Sequence, residues 1–421
     1  MATYRTAFVG CKVSQADSEA AASELAAASL SAAPVGHDAD VCVLMSCCVT
    51  AEAERKSRQL ARRLARGSRA VLVGGCAARL RPEQFEGEGI RPLSGSSLAA
   101  LATSPGVCGG GSTMKVRAST ESALGVSGAR ARERRTRLML KVQDGCPQRC
   151  AYCTVRLARG EPWSLEAGEA VRRARRGIDE GCGEVVLTGV NLGEYRDERG
   201  VDLAGLVERL TALPGLLRLR LSSLEPGHLT SRLLAALAHE KVARHLHVPL
   251  QSADDGVLHA MNRPYTFRRY RELVGAAREA LGELALTTDV IAGFPTESEA
   301  AFARTLAAID GPTGLFDRVH VFSYSRRPGT PAESLGTLQP HTVKERAAAA
   351  RSAAAAARDA AARRALGTPA EVLVEERRDG LWRGYSSQYV RYYLAGDGAR
   401  GRLVTAVADG LHADGVKGRI L

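Results

Sequence analysis

The sequence predicts an α/β protein in three parts: an N-terminal parallel-sheet α/β domain, a central partial (βα)6 barrel and a small all-β barrel at the C-terminus. Three observations carry this. β-Rich apolar runs alternate with stretches of helical period in one short series, and then again in a longer one. From about Gly367 the pattern changes to closely spaced short runs divided by turn signals.

The first series reads TAFVG, a helix over Ala16 to Ala28, DVCVLMS, a helix from Thr50 to about Arg66, and RAVLVGG. This βαβαβ order implies parallel strands, whose carboxyl ends form one ligand-binding rim. Each strand runs directly into a cysteine, Cys11, Cys47 or Cys76, so three thiols distant in sequence are expected at one edge. Gly10, Gly74 and Gly75 beside them let backbone come close to a bulky group. This domain is assigned residues 1–108, and the Gly- and Arg-rich stretch 109–135, with GGGST and ARARERR, is read as a linker.

The second series spans 136–340, with strand-like runs RLMLKV, EVVLTGV, LRLRLSS, HLHVPLQ, ALTTDVIAG and RVHVFSYS. Between them lie amphipathic stretches such as LEAGEAVRRARRGIDEG and TFRRYRELVGAAREAL. Residues 341–366, rich in Ala and Arg, predict one long helix packed on the barrel, and 367–421 form the last domain.

With 421 residues, 45% hydrophobic and 25% charged, the chain can bury ordinary cores and is no disordered tail. Its N-terminus lacks a basic stretch followed by an apolar run, and no segment has the uninterrupted apolar length to cross a bilayer, so a cytoplasmic protein with no membrane partner is expected. The net charge of +12 attracts polyanions, although an Arg- and Ala-rich composition also follows from a GC-rich genome. Ten cysteines in a reducing compartment point to cluster or metal ligation rather than disulfides. Cys42, Cys108 and Cys182 have no partner spacing and read as packing residues.

The segment DGCPQRCAYCTV places Cys146, Cys150 and Cys153 in a CxxxCxxC loop just after the first barrel strand. Three thiolates ligate three irons of a cubane that ordinarily takes four, leaving one iron open to an amino and a carboxylate group. The competing reading is a zinc loop or a set of buried thiols, but structural zinc prefers four closed ligands and no fourth Cys or His stands nearby in sequence. Polar residues at the ends of the next strands are candidates for a cofactor and substrate pocket: Thr188, Gly189 and Asn191, then Ser222, Ser223 and Glu225, then His247, Gln251 and Ser252, then Asp289, Gly293 and Pro295. Any one of them can equally be a structural hydrogen-bonding residue. In the C-terminal domain Arg377, Arg378, Arg383, Arg391 and Arg400 alternate with Trp382, Tyr385, Tyr389, Tyr392 and Tyr393. Cations for phosphates and aromatic planes for bases suit single-stranded RNA, whereas the bland reading makes the aromatics the core of a small barrel.

The CxxxCxxC loop, with Tyr152 before its last cysteine, resembles that of radical SAM enzymes. The motifs GCKVSQAD at Gly10, SCCVTAEAERKSRQ at Ser46, GGCAA at Gly74, LTGVNLGEY at Leu187, RLSSLEP at Arg220, HVPLQSADDGVLHAMNR at His247 and DVIAGFPTE at Asp289 extend the likeness to the radical SAM methylthiotransferase family. The resemblance implies two 4Fe-4S clusters, one on Cys146, Cys150 and Cys153 and a second on Cys11, Cys47 and Cys76. It also implies a C-terminal TRAM domain that binds RNA. Cys48 stands where relatives commonly have threonine, and strand parity with the motif favours Cys47 as the ligand. Thr188, Gly189, Asn191, Ser223, Glu225, Gln251 and Asp289 are the positions expected around S-adenosylmethionine.

In such enzymes one S-adenosylmethionine is cleaved to a 5'-deoxyadenosyl radical and a second supplies methyl. A methylated sulfur is then inserted at an inert C-H bond. The stretch CCVTAEAERKSRQ is similar to members that modify C2 of N6-threonylcarbamoyladenosine beside the tRNA anticodon, with an electron donor such as flavodoxin or ferredoxin and a sulfur source as further partners. Members acting on isopentenyladenosine tend to carry an Arg-Glu pair where Thr50 and Ala51 stand. The alternatives are a family member that thiolates isopentenyladenosine or a ribosomal protein, the latter branch usually departing from the KSRQ segment too, and a non-catalytic iron-sulfur tRNA-binding protein. One departure is Leu165, where relatives often have arginine, and Arg156 or Arg159 could compensate.

Overall fold

The computed structural model describes residues 2–34, 37–93, 98, 102, 126–127, 135–310 and 315–421. They divide into two compact units, Met1–Arg134 with Cys153–Glu161, and Arg135–Tyr152 with Pro162–Leu421. Most of the predicted linker, and Cys108, lie outside the described residues.

In the first unit β1 (Thr3–Phe8), α1 (Lys12–Ala27), β2 (Ser31–Ala32), β3 (Ala39–Ser46), α2 (Ala51–Ala65), β4 (Ser68–Gly74), α3 (Gly75–Leu80) and β5 (Ile90–Pro92) follow one another. The strands lie in the order β2-β1-β3-β4-β5, all parallel, and β6 (Val126–Ser127) adds an antiparallel partner to β1. Along β3, Cys42 and Leu44 enter one apolar cluster while Val41, Val43 and Met45 enter another, so side-chain alternation buries both faces. α2 starts where the sequence predicts, because the Thr50 hydroxyl accepts from the Ala53 amide at 3.1 Å. α1 begins at Lys12 rather than Ala16: its buried face is made mostly of Ser and Ala, which leave a faint apolar period.

In the second unit the six predicted barrel strands are present as β7 (Arg137–Lys141), β10 (Glu184–Thr188), β11 (Arg218–Leu221), β12 (His245–His247), β13 (Ala285–Ala292) and β14 (Arg318–Ser323); β8 (Gln143–Asp144) and β9 (Trp163–Ser164) form a small antiparallel pair beside them. β7, β10 and β11 pair in parallel, as do β12, β13 and β14, and bridges Leu219–Val242 and Ser223–His247 join the two sets. The intervening helices cover this open sheet and share one apolar core with it. The predicted long helix runs over Pro340–Arg364 and adds Ala347, Ala350, Ala353 and Ala354 to that core.

The final domain is a closed barrel in the order β15-β16-β17-β19-β18, formed by Pro369–Arg378, Leu381–Ser386, Arg391–Ala395, Gly415–Ile420 and Leu403–His412 respectively. It docks on the amino ends of the (βα)6 strands. There Arg220 donates to the Ser386 and Ser387 carbonyls at 3.1 Å each, Arg218 reaches the Tyr385 carbonyl at 3.1 Å, and Arg137 pairs with Glu375 at 2.6 Å. Glu184 lies between Arg218 and Arg220, at 2.9 and 3.0 Å, with all three side chains almost fully buried.

Of the aromatic residues expected to stack on RNA, Tyr392 and Tyr393 serve the small-barrel core instead, whereas Trp382, Tyr385 and Tyr389 are half-buried. The Tyr389 ring lies 4.8 Å from both His245 and Tyr385, with the Arg220 guanidinium 4.7 Å from it, and Tyr392 and Tyr393 are buried in the small barrel. Arg383 pairs with Asp379, and Arg391 with Asp414. Arg377, Arg378 and Arg400 are exposed.

Burial alone would raise the Glu184 carboxyl, but Arg220, Arg218 and Arg137 outweigh it and hold it at about 2. Its stabilisation is therefore complete above the unfolded value near 4.5 and is lost only as pH falls towards 2. Glu184→Gln leaves two buried guanidinium groups poorly paired and should cost about 3 kcal/mol at neutral pH. Urea unfolding of wild type and variant checks this, and equal midpoints would refute it.

Candidate functional site

Two places collect the candidate residues, one in each unit. In the first unit Cys11 caps α1 after β1, Cys47 follows β3, and Cys76 sits in the first turn of α3 after β4. Burial pushes the Cys47 thiol up to about 12, with Cys11 and Cys76 adding to the shift. Cys76 donates to Cys48, and this bond and then burial push its thiol well up. Cys48 also meets the Thr154 hydroxyl at 3.2 Å, and Arg159 donates from Nε to Cys76 Sγ at 3.1 Å while holding Asp17 at 2.9 Å.

The backbone is shaped around these thiols. Gly10 has φ +116°, and a Cβ there would stand 2.8 Å from Cys47 Sγ; Gly75 has φ +85°, and a Cβ there would lie 2.4 Å from the Ser46 carbonyl. Ser46 Oγ bonds to the Gly74 carbonyl at 2.6 Å and accepts from the Ala78 amide at 3.0 Å, while Ser57 accepts from the Cys47 amide at 3.2 Å. These serines, given no role of their own in the sequence motif that contains them, fix the turns that carry Cys47 and Cys76. Among the described residues no three Cys, His, Asp or Glu side chains converge as a single metal ion requires.

In the second unit the loop after β7 carries Cys146 and Cys150. Gln143, fully buried, donates to the Asp144 and Gly145 carbonyls at 2.9 and 2.8 Å and accepts from the Asn191 amide at 2.9 Å. One side chain thus ties this loop to the loop after β10. Burial raises the Cys146 thiol, and Asn191 Nδ2 lies 4.0 Å from its sulfur. Asn191 Oδ1 is buried and accepts no hydrogen bond among the described residues. Cys150 Sγ accepts from Arg263 Nη1 at 3.3 Å, and Arg263 is ion-paired with Glu225. Ala151 is held by backbone bonds to Met261 and Ala332 at 2.9 and 2.8 Å. Cys153 belongs to the segment that clusters with the first unit.

Deeper among the strands, Ser223 Oγ meets His247 Nδ1 at 2.8 Å and His247 Nε2 meets Asp289 Oδ1 at 3.0 Å, a polar chain across β11, β12 and β13. Gln251 takes φ +70° and bonds through its backbone to Asp289 and Ile291. Thr188 is fully buried with its hydroxyl on the Val186 carbonyl, and Gly189 packs against Gln143 with its amide on Ser222. Ser252 bonds to Thr305, and the Gly293 amide to Glu297. Leu165 packs on the barrel core and its carbonyl accepts from the Tyr195 hydroxyl at 2.7 Å, so the position is a hydrophobic anchor. Arg159 does not replace the missing arginine, because Asp17 and Cys76 occupy it. Cys42 and Cys182 are buried, as the packing reading expects.

A six-strand parallel half-barrel with a CxxxCxxC loop after its first strand is the architecture of radical SAM enzymes, and the Radical SAM superfamily model matches residues 140–309. Residues 3–91 match the Uncharacterized protein family UPF0004. The chain is 31% identical to threonylcarbamoyladenosine tRNA methylthiotransferase MtaB of Thermotoga maritima, over 94% of this chain and 92% of that one. It is 32% identical to tRNA-2-methylthio-N(6)-dimethylallyladenosine synthase of Novosphingobium aromaticivorans, over 99% and 97%. The solved radical S-adenosylmethionine methyltransferase TsrM of Kitasatospora setae shares the fold, with a TM-score of 0.51 and 17% identity over 75% of this chain and 67% of that one. The chain belongs to the radical SAM methylthiotransferase family. That membership makes it an enzyme and brings with it S-adenosylmethionine and a 4Fe-4S cluster. No helix among the described residues is long and apolar enough to cross a membrane.

The geometry orders the thiols of the first unit by reactivity. In iron-free protein at pH 8, iodoacetamide should label exposed Cys11 on the order of tenfold faster than buried Cys47 or Cys76, because a buried, protonated thiol is a poor nucleophile. Peptide mapping by mass spectrometry reads the rates, and faster labelling of Cys47 would contradict this arrangement.

Proposed function

We propose that this enzyme inserts a methylthio group at C2 of N6-threonylcarbamoyladenosine beside the anticodon of tRNA. The carrying observation is the junction after Cys47. Thr50 caps α2 and Ala51 opens it, so small uncharged side chains stand where the isopentenyladenosine branch tends to carry an Arg-Glu pair. The relatives named for threonylcarbamoyladenosine in Thermotoga maritima and Bacillus subtilis support the same reading. A second reading, dimethylallyladenosine tRNA as substrate, is favoured by the 32% identity to the Novosphingobium aromaticivorans enzyme, against 31% to the other two.

In this reading Cys146, Cys150 and Cys153 hold the radical 4Fe-4S cluster and Cys11, Cys47 and Cys76 hold a second, with Cys48 as a hydrogen-bonding neighbour. Cluster and S-adenosylmethionine together supply a radical able to break a C-H bond. The chain's own residues bind and orient. Gln143 fixes the loop; Asn191 would offer its unmet Oδ1 to the amino group of S-adenosylmethionine, and Glu225, Ser223, Asp289, Gln251, Thr188 and Gly189 would surround the cofactor. Residues 1–108 would form the sulfur-carrying domain, 136–340 the radical barrel, 341–366 a helical connector and 367–421 a TRAM-like RNA-binding domain. The exposed Arg377, Arg378 and Arg400 suit phosphates there. Turnover also needs an electron donor such as flavodoxin or ferredoxin, and a sulfur source. Such a substrate is met in the cytoplasm.

Anaerobic reconstitution should load roughly eight irons per chain, falling to about four in Cys146→Ala. In a deletion strain, nucleoside mass spectrometry should show loss of the methylthio form of threonylcarbamoyladenosine. Loss confined to isopentenyladenosine would transfer the assignment to the second reading.

A further inference from the structure

Arg263 has its side chain 2% exposed, which is costly for a cation unless its donors are matched. Three contacts match them. Glu225 takes Nη2, the Tyr265 hydroxyl lies 3.0 Å from Nε and 2.8 Å from Nη2, and Nη1 points at Cys150 Sγ from 3.3 Å. Tyr265 donates its own proton to the Pro249 carbonyl at 3.0 Å, and the ring lies 4.9 Å from the guanidinium carbon. The guanidinium is thus locked in one orientation, with one N-H committed to a sulfur.

We propose that Arg263 is a positioning residue that donates a hydrogen bond to the Cys150 thiolate of the loaded cluster and eases its one-electron reduction. This rests on the reading of Cys150 as an iron ligand. Reduction adds one electron from an external donor and so one negative charge to the cluster and its sulfurs. A hydrogen bond to a ligand sulfur stabilises the reduced form more than the oxidised one. Glu225 cancels the charge of Arg263 at long range, so the directed N-H remains the local effect. Glu225 also works against the reduced state, since its carboxylate lies in the same cluster of groups.

The test uses the full chain carrying Cys11→Ala, Cys47→Ala and Cys76→Ala, reconstituted anaerobically without S-adenosylmethionine. The electron paramagnetic resonance signal is followed through a redox titration. At the potential where the parent is half reduced, Arg263→Gln should show about a tenfold lower ratio of reduced to oxidised cluster with its iron retained. Glu225→Gln should shift the ratio the other way, which a merely structural role would not do. An unchanged ratio in Arg263→Gln at full iron overturns the proposal. If that variant loses its iron, Glu225→Gln decides, and a ratio that is unchanged or lower overturns it. Iron content undiminished by Cys150→Ala would instead refute the ligand reading.

Discussion

Parallel strand pairing is the constraint from which the rest follows. Strands that all run one way present every carboxyl end at one rim, and each strand can deliver one reactive side chain there. In the first unit this brings thiols from the ends of three strands to one edge although they are far apart in sequence. In the second it sets the loop after β7 beside the ends of its neighbours, where Gln143 and Asn191 tie adjacent loops together. The opposite rim is left with amino ends, and there the sequence places Arg137, Glu184, Arg218 and His245 as the first residues of their strands.

That second rim is a structural joint. Charges so deeply buried contribute stability only when matched, and here Glu184 is matched by two arginines whose remaining donors are taken by carbonyls of the small barrel. The joint also engages an aromatic ring: the half-buried Tyr389 packs among His245, Tyr385 and Arg220.

What the sequence disclosed, and what it hid, divides along physical lines. Cysteine spacing, strand runs and the Thr50 cap are local features, legible in the order of residues alone. Arg263 and Gln143 were not, because a buried cation and a buried amide look in sequence like any solvated polar residue, and only the groups packed around them reveal the difference. Ser46 and Ser57 were hidden for the same reason. Tyr392 and Tyr393 misled because the alternation of cation and aromatic that suits RNA is also that of a small barrel filling its own core. The Ser- and Ala-rich face of α1 concealed its first turn.

The joint also has a consequence for the size of the substrate. The small barrel sits at the amino ends of the half-barrel strands, whereas the candidate chemistry lies at their carboxyl ends. A strand such as β10 separates the two by roughly 15 Å at a rise of about 3.3 Å per residue. A free nucleoside is too short to touch both ends at once. Only a ligand at least as long as the strands can touch the small barrel and the upper rim at once, so any contact made with both must span the whole height of the unit.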